Sequence, residues 1–184
     1  MQELDFKYRF YGDKNKVINK EYLGIFSSRN LTDYSIKVFE EIVLKFQNDF
    51  VFFLTFEAFK RLEGVRVMNK TQDVAFCLIY EKKYWDMRIK NPKINEILLD
   101  TDVEDSKLKY LLKDIFIVEK VSKIMILEAT IFSKNLEIVT LYADQKGKKV
   151  YSLPGRIDSS ASAGTNKLIY DGVVPLFSLD LLKM

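Results

Sequence analysis

The chain has no histidine. That absence removes the imidazole chemistry of Ser-His-Asp and Cys-His nucleophile systems, the commonest zinc donor and the facial-triad iron site. It has one cysteine, Cys77, so no intrachain disulfide can form, which fits a reducing compartment, and the apolar neighbours of that residue predict a place in the core. Long apolar runs are missing too: those such as Phe52–Leu54 and Val173–Phe177 are broken by charge or proline far short of the roughly 18 residues a membrane helix needs. The first ten residues hold neither the apolar centre nor the small-residue cleavage site of a secretory signal, so a soluble cytoplasmic protein with no membrane partner is expected. Neither sign of charge dominates, because 29 basic against 26 acidic residues leave +3, too little to infer a polyanion partner from net charge. No G-x-G-x-x-G and no G-x-x-x-x-G-K-[ST] occurs, which excludes the ordinary dinucleotide and P-loop modes. The acidic run Asp100–Asp105 opens like a calcium loop but has Asp105 at the glycine position and Leu111 at the glutamate position, so it reads as a solvated turn. No catalytic residue, metal or cofactor is predicted.

What is present is periodicity. Leu4, Phe6, Tyr8 and Phe10 alternate with Asp5, Lys7 and Arg9, which predicts an opening strand, and Gly12-Asp13 supplies a turn. Tyr22–Phe26 reads as a more buried strand. Ile36, Phe39, Val43 and Phe46 then recur at helical spacing with Lys37, Glu40, Glu41 and Lys45 outside, an amphipathic helix that Thr32 or Asp33 can cap. Asp49–Phe56 and Asp73–Tyr80 are runs typical of inner strands covered on both faces, with residues 57–70 helical or irregular between them. Lys82–Asp105 is polar, contains Trp85 and Pro92, and reads as a loop with one helix. A helix over Ser106–Glu119, a strand over Lys123–Ala129, a helix over Ser133–Lys146 stopped at Gly147 and a strand over Lys149–Leu153 follow. The loop Pro154–Ser162, a helix from about Thr165 to Tyr170, a strand over Val173–Phe177 and a short terminal helix complete the pattern. At 184 residues this alternation predicts a single α/β domain with an open, doubly wound, largely parallel sheet. Function is then expected in loops beyond the carboxyl ends of the strands.

Two of those loops carry chemistry. Ser27-Ser28-Arg29 joins a strand to a helix, where backbone N–H groups and the helix dipole favour an anion and a guanidinium can hold a phosphate bidentately. From these residues alone, a plain polar connection is an equal reading. The second loop, from Pro154, places Gly155, Gly164 and several small residues ahead of a helix, and so lets the backbone of a ligand approach closely.

The stretch Lys148–Ser178 (KKVYSLPGRIDSSASAGTNKLIYDGVVPLFS) resembles the end of the Rossmann-like domain of the DNA-processing protein A (DprA/Smf) family. That family has a strand, Pro-Gly, a small-residue stretch, Ser-x-Gly-x-Asn-x-Leu-Ile, x-x-Gly and a closing strand. Upstream, Phe10-Tyr11-Gly12-Asp13 is similar to the family's lead-in, YLGIFSSR (Tyr22–Arg29) to its first strand and Gly-Ser-Arg turn, and KIMILEA (Lys123–Ala129) to its strand ending in Val-Val-Glu-Ala. The likeness is strongest after Ser122 and weakest over residues 50–110.

The resemblance implies a Rossmann-like fold, single-stranded DNA binding without bond-breaking chemistry in DNA processing and natural transformation, help in loading the RecA recombinase, a homodimer and no cofactor. It singles out Ser28 and Arg29 for phosphate and Gly155, Ser162, Gly164 and Asn166 for loop shape. Lys134 and Lys167 are candidate backbone contacts or ordinary surface lysines. There are departures. Ser27 replaces the family's glycine, its Ser-Gly-Leu-Ala and Gly-Ile-Asp motifs have no counterpart in Leu54–Phe59, and its Arg-Asn-Arg falls on Ile115-Phe116 with Lys113 and Lys120 nearby. Its Ser-Gly-Ser turn becomes Ser133-Lys134-Asn135. The expected organisation is a stripped core over residues 1–184, with a lead-in over 1–20 and no winged-helix extension. Two other readings remain open. One is a degenerate interaction subunit without DNA binding. The other is a nucleotide-sensing or nucleotide-cleaving protein like the lysine-decarboxylase-like phosphoribohydrolases, against which stand Arg156 after Pro154-Gly155 and the lack of a glutamate in the helix that follows.

Overall fold

The aromatic and β-branched runs pair into one sheet. The computed structural model describes residues 6–100 and 106–184, with strands β1 (Tyr8–Tyr11), β2 (Glu21–Phe26), β3 (Phe50–Thr55), β4 (Ala75–Tyr80), β5 (Ile94–Leu99), β6 (Lys123–Ile126), β7 (Lys149–Ser152) and β8 (Val174–Pro175). The helices are α1 (Asp33–Phe46), α2 (Phe56–Arg61), α3 (Gly64–Asn69), α4 (Ser106–Lys120), α5 (Lys134–Gln145) and α6 (Ala163–Tyr170). Strand order is β1-β5-β4-β3-β2-β6-β7-β8, and every pairing is parallel except β1 with β5.

Alternation along the strands divides the core in two. Leu23, Ile25, Phe52, Leu54, Phe76 and Leu78 face α1, α2 and α3, while Val51, Phe53, Ala75, Cys77, Ile124 and Ile126 face α4, α5 and α6. This is the doubly wound α/β fold that the alternation of elements predicts, and the Rossmann-like one that the resemblance implies. Cys77 is fully enclosed in the second layer, and burial pushes its thiol pKa far up. Among the described residues, no helix is long and apolar enough to cross a membrane.

Three elements differ from expectation. The opening strand begins at Tyr8 and runs to Tyr11; Leu4 and Asp5 lie outside the described residues, as do 101–105 of the acidic turn. The stretch after Lys82 holds a 3-10 turn, Lys82–Met87, and then β5, where a loop with one helix was expected. Asn95 and Glu96 hid that strand, being polar yet buried. Asn95 is satisfied by accepting from the Asp13 backbone N–H at 2.9 Å, and Gly12 packs against it so closely that a β-carbon would lie 2.1 Å from its Oδ1. Finally, β8 has only two paired residues, and the terminal helix is the 3-10 turn Leu179–Lys183.

Chain direction fixes where a site can form. From β2 the chain steps outward through β3, β4 and β5, then α4 carries it back to β6 on the other side of β2, and it proceeds through β7 to β8. The connections therefore diverge between β2 and β6, which opens a crevice beyond their carboxyl ends.

Candidate functional site

That crevice is a cleft of about 780 Å³. Four strand ends build it: Ser27–Asn30 after β2, Thr55 with Glu57, Ala58 and Arg61 after β3, Tyr84 after β4, and Thr130 with Phe132–Leu136 after β6; Lys113, Asp114 and Ile117 of α4 also line it. Arg29 and Lys134 are exposed at its wall, so the structure brings these two sequence-predicted residues to one place. Phe132 stands 82% exposed beside Lys134.

The remaining candidates serve the loops themselves. Ser28 donates its backbone N–H to the Glu128 carbonyl at 2.7 Å and its Oγ to the Asn30 carbonyl at 2.8 Å, bracing the turn that carries Arg29. The helix end beside it is not a bare anion cradle. The buried Glu128 carboxylate accepts from the Thr32 backbone N–H at 2.8 Å, the Thr32 Oγ1 at 2.6 Å and the Ser35 Oγ at 2.8 Å, placing a negative charge of the protein at the amino end of α1. The anion-favouring dipole expected there is thus already matched, and attraction for a phosphate rests on the Arg29 side chain. Glu128 is second from the end of the KIMILEA run, two residues past β6; an acid just beyond the apolar end of a strand was the signal that could have marked it.

The second loop is joined to the first turn of α1, where Tyr34 Oη donates to the Pro154 carbonyl at 3.4 Å, and it does not line the cleft. Gly155 and Asn166 bond to each other twice, Gly155 N–H to Oδ1 at 3.0 Å and Nδ2 to the Gly155 carbonyl at 3.1 Å. A β-carbon on Gly155 would strike Ser162 at 2.1 Å, while Ser162 Oγ donates to the Arg156 carbonyl at 3.2 Å. Gly164 donates its N–H to the Ala129 carbonyl at 2.7 Å, seating α6 against the chain that leaves β6. The close approach these small residues permit is therefore of backbone to backbone. Lys167 is paired with Asp171 at 2.8 Å and Glu137 at 3.3 Å, away from the cleft.

Sequence reasoning missed the floor of the cleft, whose members are far apart in the chain. Lys113, only 3% exposed, bridges Glu57 at 2.8 Å and Glu81 at 2.5 Å. Arg61 Nε and Ser27 Oγ are buried without a hydrogen-bond partner among the described residues. Burial lowers the Arg61 pKa and the nearby Arg29 charge adds to that, against the opposing pull of Glu57 and Asp114. Burial raises Asp114 to about 7, with Lys113 and Arg61 resisting and Glu57 reinforcing the shift. The cleft thus presents Arg29 and Lys134 at its wall and Arg61 deeper, over a floor whose acids are largely paired or held toward neutrality.

Strand order, switch point and cleft define a Rossmann-like protein of the doubly wound class, with its opening where that class places ligands. No protein-family model matches the sequence, and no curated protein sequence does. Among solved structures the chain is similar to DNA processing protein A from Helicobacter pylori, whose single-stranded DNA binding mode that structure concerns, with TM-score 0.74 and 16% identity over 95% of this chain and 84% of that one. It is likewise similar to DNA processing protein A from Streptococcus pneumoniae, with TM-score 0.73 and 14% identity over 96% of this chain and 66% of that one. The fold is that of DNA processing protein A, as the motif resemblance implied.

Proposed function

We propose that the chain binds single-stranded DNA along the switch-point cleft, as a DNA-processing protein that breaks no bonds. The observation that carries this reading is the convergence of Arg29, Arg61 and Lys134 from three strand ends on one open cleft, in the fold of DNA processing protein A. Single-strand binders of low sequence preference combine a cationic groove with aromatic faces for unstacked bases. Arg29 and Lys134 supply the first at the wall, and exposed Phe132 the second. The same reading places the protein in the cytoplasm during natural transformation, as a homodimer that passes its strand to RecA.

A salt-dependent titration with labelled oligothymidylate tests it. Arg29→Ala is expected to weaken binding by about 1–3 kcal/mol, the scale of a charged hydrogen bond, and to make the salt slope shallower by about 0.7. Duplex of the same length should bind more weakly. Absence of salt-sensitive binding, or a folded Arg29→Ala indistinguishable from wild type, overturns the reading. One observation favours a second: Glu57 and Asp114 line the same cleft, and above about pH 7 the Asp114 carboxylate opposes a polyanion. An interaction subunit without DNA binding is then the conclusion a negative titration supports.

A further inference from the structure

Residues 82–93 carry five basic side chains against one acid and surround the only tryptophan, Trp85. This segment leaves β4 at the cleft, where Tyr84 is part of the lining, and packs Tyr84, Trp85 and Ile89 onto the α1–α3 face of the sheet on its way to β5. Trp85 meets Tyr80 edge-on at 5.8 Å and Tyr11 of β1 at 4.7 Å, and the Arg88 guanidinium sits 4.6 Å from its ring centre. On β1, Tyr8 and Phe10 turn to the opposite core, so Arg9 and Tyr11 share the face that bears Trp85. Arg9, Lys82 and Lys90 are exposed, and Met87 is 59% exposed. Packing accounts for the inner side of Trp85. The buried Glu96, cross-strand from Tyr11, answers part of the Arg88 and Lys90 charge, but neither it nor packing accounts for the exposed Arg9 on β1 and Lys82 in this segment.

We propose that this edge is a second contact surface for single-stranded nucleic acid, continuous with the cleft. A strand leaving the cleft past Tyr84 is delivered to Trp85, one residue or about 3.8 Å further along the backbone. Its bases meet Trp85 and Tyr11 while its phosphates meet Arg88, Lys90 and Arg9, the pairing of stacking faces with cations that suits unstacked bases and not a duplex. An acidic peptide would answer the charges but leave the rings without a partner. The inference rests on the cleft reading and deepens it, because it makes affinity depend on strand length.

Trp85 reports on its own surroundings, since all tryptophan emission comes from it. Oligothymidylates of about four nucleotides, enough for one short site, and of about twenty are titrated separately. The long strand is expected to quench Trp85 saturably and in a salt-sensitive way, and the short one to bind with little quenching. The double variant R88Q/K90Q should lose several-fold affinity for the long strand, with a salt slope shallower by about 1.4 for two phosphates, and keep wild-type affinity for the short one. Arg29→Ala weakens both lengths. If R88Q/K90Q does not fold, R9Q/K90Q replaces it, because both of those side chains are exposed. Equal quenching by the two lengths, or wild-type affinity of the folded double variant for the long strand while Arg29→Ala still weakens it, overturns the edge and leaves the cleft standing. No binding by the wild type overturns both, and quenching by polyglutamate equal to that by the long strand overturns the nucleic-acid assignment.

Discussion

A β-carbon on Gly164 would lie 2.3 Å from the Thr130 carbonyl oxygen and 2.6 Å from that of Ala129. Backbone cannot yield as a side-chain tip does, so Gly164→Val should push α6 off its seat and cost about 1–3 kcal/mol, the usual scale of overpacking. A lowered urea midpoint checks this, and binding by the fraction still folded should change little. Glu128 makes the opposite case, a charge whose loss is felt. Glu128→Gln leaves an amide N–H₂ facing groups that already donate, so a loss of about 1–3 kcal/mol is expected, read as a drop in thermal midpoint. Asp114 sets a pH dependence. Folded, its carboxyl titrates at about 7; unfolded, near its ordinary 3.8. Between those values the folded state holds a proton the unfolded state has released, so this residue's contribution to stability falls as pH rises through the window and levels off above it. Asp114→Asn should therefore melt higher than wild type at about pH 8 and lose that advantage toward about pH 4.

At the scale of elements, α4 is tied to its neighbours by Lys113, which reaches Glu57 on α2 and Glu81 just after β4. Removing one partner from such a cluster strands the others, so Lys113→Ala should cost about 3–5 kcal/mol in chemical denaturation. The strands β2, β3, β4, β6 and β7 and helices α1, α4 and α5 were legible, because their apolar residues form either short runs of strand length or a helical period. β5 was not, since the polar pair Asn95-Glu96 is buried by partners distant in sequence. The candidate site divides in the same way. Arg29 and Lys134 were readable because they follow strands directly, whereas Arg61 and Asp114 meet only once β3 and α4 have been folded together. The second loop was recognisable by its small residues, and what they approach became visible only when α6 was seated on Ala129.

For the whole molecule, the two borders of the sheet are unlike, and each is guarded by its own means. β8 contributes only two residues, and Leu176 just beyond it turns its N–H inward to the Ser152 carbonyl at 2.9 Å. Residue 175 therefore presents its backbone outward, and because it is proline there is no N–H for an incoming strand to use. At the other border, β1 carries exposed Lys7 beside it and Arg9 within it, charges that a stacked copy would have to bring face to face. Both devices disfavour sideways growth of a sheet this rich in phenylalanine and isoleucine. Pro175→Thr restores the missing donor, and on heating it should scatter light at a lower temperature than wild type while its unfolding midpoint stays nearly the same.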